Sequence, residues 1–263
     1  MIRKVLIFIL LGFIAMQSYA QYTFFPNSGM ITYERKFHVQ NYLKRKYLNK
    51  PDLNSWDKIF VDEVVKNGPV EVLTKHSLKF YNDETLFETI KEDYPSNYRG
   101  ALRYLPLKED TKTYKNMKSN VFSRLVSFGD DELLLHDTIP QVKWKYTDEY
   151  REIAGYECRR ANGLIQDSIY VVAFFSNQIA VSGGPELVQG LPGMILGLSV
   201  PSLNINMFAT KVELTNQSVS SQLTKNKKIQ PESIETIKKK IRTSVFDSMQ
   251  DDQFQNQWSK LLF

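Results

Sequence analysis

The sequence predicts a mainly β (α+β) protein: a curved antiparallel sheet or partly closed barrel, followed by a helix near the C-terminus. Three observations carry this. Segments that alternate apolar and polar side chains recur between Gly29 and Leu214, the period of half-buried strands. Turn-forming residues separate them at near-regular intervals, as in sheets folded as meanders. From Pro231 onward the apolar spacing changes to the helical period. The chain has 263 residues, 42% apolar and 13% aromatic. That is enough for an ordinary core and excludes a disordered chain.

The first strand is read from Gly29 to Val39. Ile31, Tyr33, Arg35, Phe37 and Val39 share one face and Thr32, Glu34, Lys36 and His38 the other, so one charge intrudes on the apolar face. Tyr42 to Lys50 is basic and reads as a solvated loop. Leu53 to Asn67 reads as a helix: Ser55 is a candidate cap, Trp56, Ile59, Phe60, Val64 and Val65 approximate the 3.6 period, and Asn67-Gly68-Pro69 stops it. Val70–Tyr81 and Glu84–Ile90 form a strand pair turned at Asn82-Asp83. Asp93 to Met117, polar and rich in Lys, is read as a long surface loop or as the point where two sub-domains part. Further strands follow over Phe122–Phe128, Glu132–Thr138, Gln141–Thr147, Ile153–Ala161, Ser168–Phe175, Met194–Val200 and Asn206–Leu214. Ile169–Phe175 is apolar throughout and should be central, covered on both faces. Pro231-Glu232-Ser233 opens a helix with acids in its first turn, and Ile234, Ile237, Ile241 and Val245 form its apolar stripe, with Phe246 and Met249 alongside.

The chain begins Met1-Ile2-Arg3-Lys4, continues through twelve uncharged residues, Val5 to Met16, and reaches Gln17-Ser18-Tyr19-Ala20. A basic start, a short apolar run and small residues before a cut predict a secretory leader, cleaved between Ala20 and Gln21. The apolar run is too short to span a membrane, which takes about 20 residues. The domain reading is therefore 1–20 leader, 21–220 antiparallel β domain, and 221–263 basic loop and C-terminal helix. Removing Arg3 and Lys4 lowers the net charge of +5 by two, too mild a balance for a nucleic-acid partner.

One cysteine excludes an internal disulfide framework and a multi-thiolate zinc site. In a strand, Cys158 shares a face with Tyr156 and Arg160, and the bland reading is a buried, inert thiol. The three histidines, His38, His76 and His136, form no metal-ligating pair. His136-Asp137 with Ser182 or Cys158 can be drawn as a hydrolase triad, but no G-x-S-x-G elbow accompanies it. The expectation is no catalytic residues, no metal and no cofactor.

Two glycine-rich pieces, Ser182-Gly183-Gly184-Pro185-Glu186 and Gly190-Leu191-Pro192-Gly193-Met194-Ile195, stand apart. Leu191–Met194 suits a type II turn, with Pro setting φ and Gly supplying positive φ. Gly197 in the following apolar strand suggests a bulge or a close approach. Physically this is a rigid corner.

Gly190–Leu198 (GLPGMILGL) resembles the signature of the GLPGLI family, exported proteins found mainly in Bacteroidota. The resemblance extends in order through Gly29–Tyr33, Lys143–Thr147, Glu152–Ala161 with Gly155, Tyr156 and Cys158, Asp167–Phe175 and Phe208–Val212. It implies no established activity. Members tend to be encoded near TonB-dependent outer-membrane receptors, so the resemblance implies an envelope role with a protein partner, and a structural role for the signature residues Gly183, Gly184, Pro185, Gly190, Leu191, Pro192, Gly193, Met194 and Ile195. Members often carry His or Trp before the ATKV segment. Pro201–Met207 has neither, so a metal role there does not transfer. The Gly-Tyr-x-Cys layout before an apolar strand is similar to periplasmic lipoprotein-carrier half-barrels.

The expected function is that of a non-enzymatic envelope protein that binds or docks an outer-membrane partner. One alternative is a periplasmic carrier of a lipid or other apolar ligand. A more distant one is a thiol-dependent enzyme using Cys158. An open apolar cavity in front of the sheet would favour the carrier; a filled one would favour docking.

Overall fold

The computed structural model describes residues 26–45, 55–93, 111–128, 131–166, 168–224, 228–244, 247 and 250–263. The cleavage point at Ala20 and Gln21, the basic residues after Arg45, the body of the 93–117 segment, and Val245, Phe246 and Met249 lie outside them.

Alternation makes the strands, and their register makes one sheet. In chain order they are β1 (Ser28–His38), β2 (Glu71–Tyr81), β3 (Glu84–Ile90), β4 (Lys112–Asn116), β5 (Val121–Phe128), β6 (Asp131–Thr138), β7 (Val142–Ile153), β8 (Tyr156–Ile165), β9 (Ile169–Ser176), β10 (Met194–Val200), β11 (Ile205–Glu213) and the short β12 (Pro231–Glu232). Their order across the sheet is β12-β6-β5-β4-β3-β2-β1-β11-β10-β9-β8-β7. Two meanders, β1 to β6 and β7 to β11, join where β11 returns to pair with β1, Tyr33 opposite Ala209. All pairs are antiparallel except β12 with β6, which makes the sheet mixed. β7 and β12 end it without meeting, so it is open and not a barrel.

Partners directly opposite share a face, so the register defines a front. One row runs Ala161, Ala173, Leu198, Met207, Arg35, Thr74. Another runs Phe80, Thr85, Lys115, Phe122, Asp137. The front carries Ile31, Tyr33, Phe37, Leu78, Phe87, Val126 and Leu135, all buried in the main core. On the back, Leu86, Tyr114 and Leu125 form a smaller cluster closed by Leu223.

The helices are α1 (Val39–Leu43), α2 (Ser55–Asn67), α3 (Ile234–Ser244) and α4 (Asp251–Leu262). Several expectations are corrected. The C-terminal region carries two helices, not one, and Pro231–Glu232 extends the sheet instead of opening a helix. Tyr42 and Leu43, read as solvated loop, are helical and buried. Lys112–Asn116, read as loop, is a strand because Thr113 and Lys115 lie fully buried on its front. In α2 the solvent takes Ile59 and the core takes Val61. β9 is central, yet Tyr170 near its start is exposed, so cover on both faces is complete only towards its end. No helix among the described residues is long and apolar enough to cross a membrane.

Candidate functional site

The segment between β9 and β10 does not run over the surface. It lies across the front of the sheet, with Gly183 to Val188, Leu191 and Gly193 buried. Its backbone, with the start of β10, is pinned by side chains from three strands. Lys115 Nζ donates to the carbonyls of Gly184 (2.7 Å) and Val188 (2.9 Å). Tyr33 donates its hydroxyl proton to Ile195 O (2.6 Å), and Trp144 Nε1 donates to Gln189 O (3.0 Å). Ser182 Oγ closes the loop on itself through Leu191 O.

The glycines are there for space and conformation. Gly193 has φ +138°, and a Cβ on it would sit 2.1 Å from Ser176 O. A Cβ on Gly184 would meet Ile195 at 2.9 Å. The corner is tighter than the type II turn expected: Gly193 N donates to Leu191 O, so it is a three-residue turn about Pro192. The bulge anticipated near Gly197 is present, since Ile195 pairs with Phe175 and Gly197 with Phe174, leaving Leu196 as the extra residue.

At the centre of the loop stands Glu186, buried and in the left-handed region at φ +53°. Arg124 Nη1 donates to its Oε2 (2.5 Å) and Arg35 Nη1 to its Oε1 (3.4 Å). Burial opposes its ionisation, but Arg124 and Arg35 outweigh it and hold the carboxyl below the ordinary range. Lys115 is pushed down to about 7, mainly by burial. His76, stacked on Phe87 and bonded to Thr74 and Thr89, is pushed down to about 3 by burial and then by Arg35, so it is neutral near pH 7. One buried carboxylate thus ties the signature loop to cations from β1 and β5. Glu186, Arg124, Arg35, Lys115 and His76 each bond to another part of the chain, so the cluster holds the loop on the sheet.

Sequence reasoning met Glu186 only as the end of a glycine-rich piece and His76 only as a histidine without a metal-ligating pair, and it did not single out Arg124 or Lys115. Arg35 left a clearer trace, as a charge on an apolar face.

The other singled-out residues are dispersed. Gly155 (φ +82°) and Ala154 (φ +52°) make the β7–β8 hairpin turn, with open space around the glycine. Tyr156 pairs with Ile153 beside it. Cys158 is fully buried, and its thiol, donating to Tyr156 O, is pushed up to about 12, chiefly by burial. His136 Nδ1 contacts Ser123 Oγ on the neighbouring strand, while Asp137 Oδ2 accepts from the Ile234 backbone N–H at the start of α3. Ser182 is committed to its own loop, and β6 lies nine positions from β8 in the sheet. The triad that could be drawn on paper is not assembled. Among the described residues no three His, Cys, Asp or Glu side chains group as metal ligands.

A second constellation lies at the β7 edge. Tyr146 pairs with Ala161 and Tyr150 with Arg159, so four steps along β7 match two along β8. The surplus bulges at 147–149, where Thr147 O accepts from Arg159 Nε and Thr147 Oγ1 donates to Arg160 O. The bulge brings both tyrosines to one guanidinium: Arg159 lies 5.5 Å from the Tyr146 ring centroid and 5.9 Å from that of Tyr150. These rings are 46% and 53% exposed.

The model of a family described as "Protein of unknown function (Porph_ging)" matches residues 163–197, the stretch from β8 through the signature corner. No curated protein matches the chain. The solved structures similar to it include two that are both 18% identical and each cover 81% of this chain: "Structure of PNGF-II in C2 space group", TM-score 0.51, and "Structure of PNGF-II in P21 space group", TM-score 0.49. The chain spans 32% of the length of those proteins. The C2 likeness is one of fold: a sheet-rich architecture shared at low identity.

Proposed function

We propose that this chain is an exported, non-enzymatic docking protein of the cell envelope that holds a protein partner through the exposed Tyr146–Arg159–Tyr150 group. That group carries the reading. Tyrosine and arginine are the side chains most enriched at protein interfaces and at their energetic centres. Here two rings and a guanidinium are pre-positioned by a bulge rather than left as loose surface residues. Lys143 and Lys145 and the bulge itself disfavour simple strand addition at this edge, so recognition falls to the side chains. The leader-like start and the signature corner support an envelope address and a partner among outer-membrane receptors of the TonB-dependent class.

The carrier alternative is less well supported because the front of the sheet is occupied. Leu187, Val188, Leu191, Ile237, Ile241, Trp258 and Leu262 are buried in the same core cluster as the strands. The buried, proton-retaining Cys158 and the scattered positions of His136, Asp137 and Ser182 favour binding over turnover.

The test is site-specific photocrosslinking in exporting cells, with a photoreactive phenylalanine at position 146 or 150 and at the remote exposed position Leu214 as control. A discrete envelope-protein adduct from 146 and 150, absent from 214, supports docking. No adduct at either tyrosine, with stoichiometric lipid extracted from the purified protein, would sink it in favour of the carrier.

A further inference from the structure

The two C-terminal helices are anchored differently. α3 begins where Pro231–Glu232 pairs with β6, and its first backbone N–H, that of Ile234, is capped by Asp137. Ile237 and Ile241 then turn into the core. α4 buries Phe254, Trp258 and Leu262, at four-residue spacing, and Phe263 in the main core, with Arg242 and Lys238 of α3 over the Phe254 and Trp258 rings. Among the described residues its polar tie to the sheet is Arg35 Nη2 donating to Phe263 O at 3.2 Å. Two hydrogen bonds from it to α3, Lys238 to Gln255 and Arg242 to Asp251, are exposed, where such contacts contribute little.

This seat is imperfect. Trp258 Nε1 is buried with no hydrogen-bond partner among the described residues, and so is Arg35 Nε. Buried donors are normally satisfied. Two orphans, one on α4 and one on the sheet residue that bonds its end, penalise the closed position and are relieved when water reaches them.

We infer that α4 is a detachable cover: it leaves the front of the sheet as a unit while α3 stays bound at β6. Elements held by few buried hydrogen bonds are the ones that open below the global unfolding free energy. Opening bares apolar ground on the front that the closed chain keeps from solvent. The inference is independent of the docking role assigned to Tyr146 and Tyr150.

Native-state thiol labelling of the full chain tests it, with Cys158 as an internal reporter of global unfolding. Phe254→Cys, Leu262→Cys and Ile241→Cys are made separately. Positions 254 and 262 should label at one common rate, about 100-fold or more faster than Cys158 in the same molecule, and position 241 at the rate of Cys158. Labelling of 262 alone means a fraying end and overturns the proposal. So does labelling of 254 at the Cys158 rate, or of 241 as fast as 254. A substitution that merely destabilises the chain accelerates Cys158 as well, so the ratio stays readable. Hydrogen exchange on the unsubstituted chain checks the same opening: α4 amides should exchange together and ahead of β1, and equal protection overturns it.

Discussion

Arg124 on β5 meets Glu186 in the signature loop 2.5 Å away, with both side chains buried and 62 residues apart in sequence. The pair joins the loop to the sheet, and Arg35 reaches the same carboxylate from β1. Removing the carboxylate leaves two guanidinium groups and Lys115 facing one another without a counter-charge. Breaking a buried pair by deleting one partner costs about 3–5 kcal/mol. Glu186→Gln should therefore lower the unfolding free energy by that amount, seen as a lower urea midpoint at unchanged m-value. A loss under about 1 kcal/mol, the size of a surface ion pair, would mean the cluster does not organise the loop.

His76 makes stability depend on acid. Its folded-state pKa is about 3 against 6.5 for the free side chain, so between those values the unfolded chain binds more protons. Stability contributed by the neutral ring is complete above pH 6.5 and is lost as pH falls towards 3. The shift corresponds to a loss on the order of 4–5 kcal/mol at about 1.4 kcal/mol per unit. His76→Gln should flatten the pH dependence of the urea midpoint over pH 6.5 to 4. Glu186, also held low, adds its own loss below about pH 4.5, the usual carboxylate range, and should remain visible in that variant.

Alternation located the strands well, and the reason is local: residues two apart report one face. β2, β3 and β10 match their expected ranges to within a residue, whereas Gly155, read inside a strand over Ile153–Ala161, turns β7 into β8. β4 was hidden because Lys115 looks like solvent-facing charge, and only the Gly184 and Val188 carbonyls opposite it make its burial tolerable. Glu186 carried no periodic signal in a stretch rich in Gly and Pro. Its partners come from Arg35, 151 residues away, and Arg124, a convergence that depends on β11 closing back onto β1. Arg159 acquires its two tyrosines through a bulge that strict alternation along β7 does not contain.

The glycines of the corner and of the hairpin should respond oppositely to a side chain. Gly193 combines φ +138° with a Cβ position 2.1 Å from Ser176 O, so Gly193→Ala forces the backbone of β9 or β10 to move. A loss above about 3 kcal/mol, or failure to accumulate soluble protein, is expected, in the range of severe single substitutions. Gly155 has φ +82° and nothing within 4 Å of its Cβ position. Gly155→Asn, a residue that tolerates the left-handed region, should cost under about 1 kcal/mol. Thermal melts of the two variants side by side make the comparison, and equal losses would contradict the assignment of the corner as the constrained element.

Cys158 separates a structural thiol from a reactive one. Burial lifts its pKa from 9.0 to about 12, so between these values the unfolded chain releases a proton that the folded chain keeps. The stabilising contribution is complete below pH 9 and disappears as pH rises towards 12. Subtracting the unfolding free energy of Cys158→Ala from that of the unsubstituted chain removes the parallel effect of Tyr33, whose hydroxyl is also held protonated by burial. That difference should shrink by a few kcal/mol across pH 9 to 11, at about 1.4 kcal/mol per unit. At pH 8 the native thiol should resist a maleimide reagent until denaturant is added, because the thiolate is the nucleophile. Rapid native labelling, or a difference that is flat with pH, would place a thiolate in the folded protein and reopen the case for chemistry at this residue.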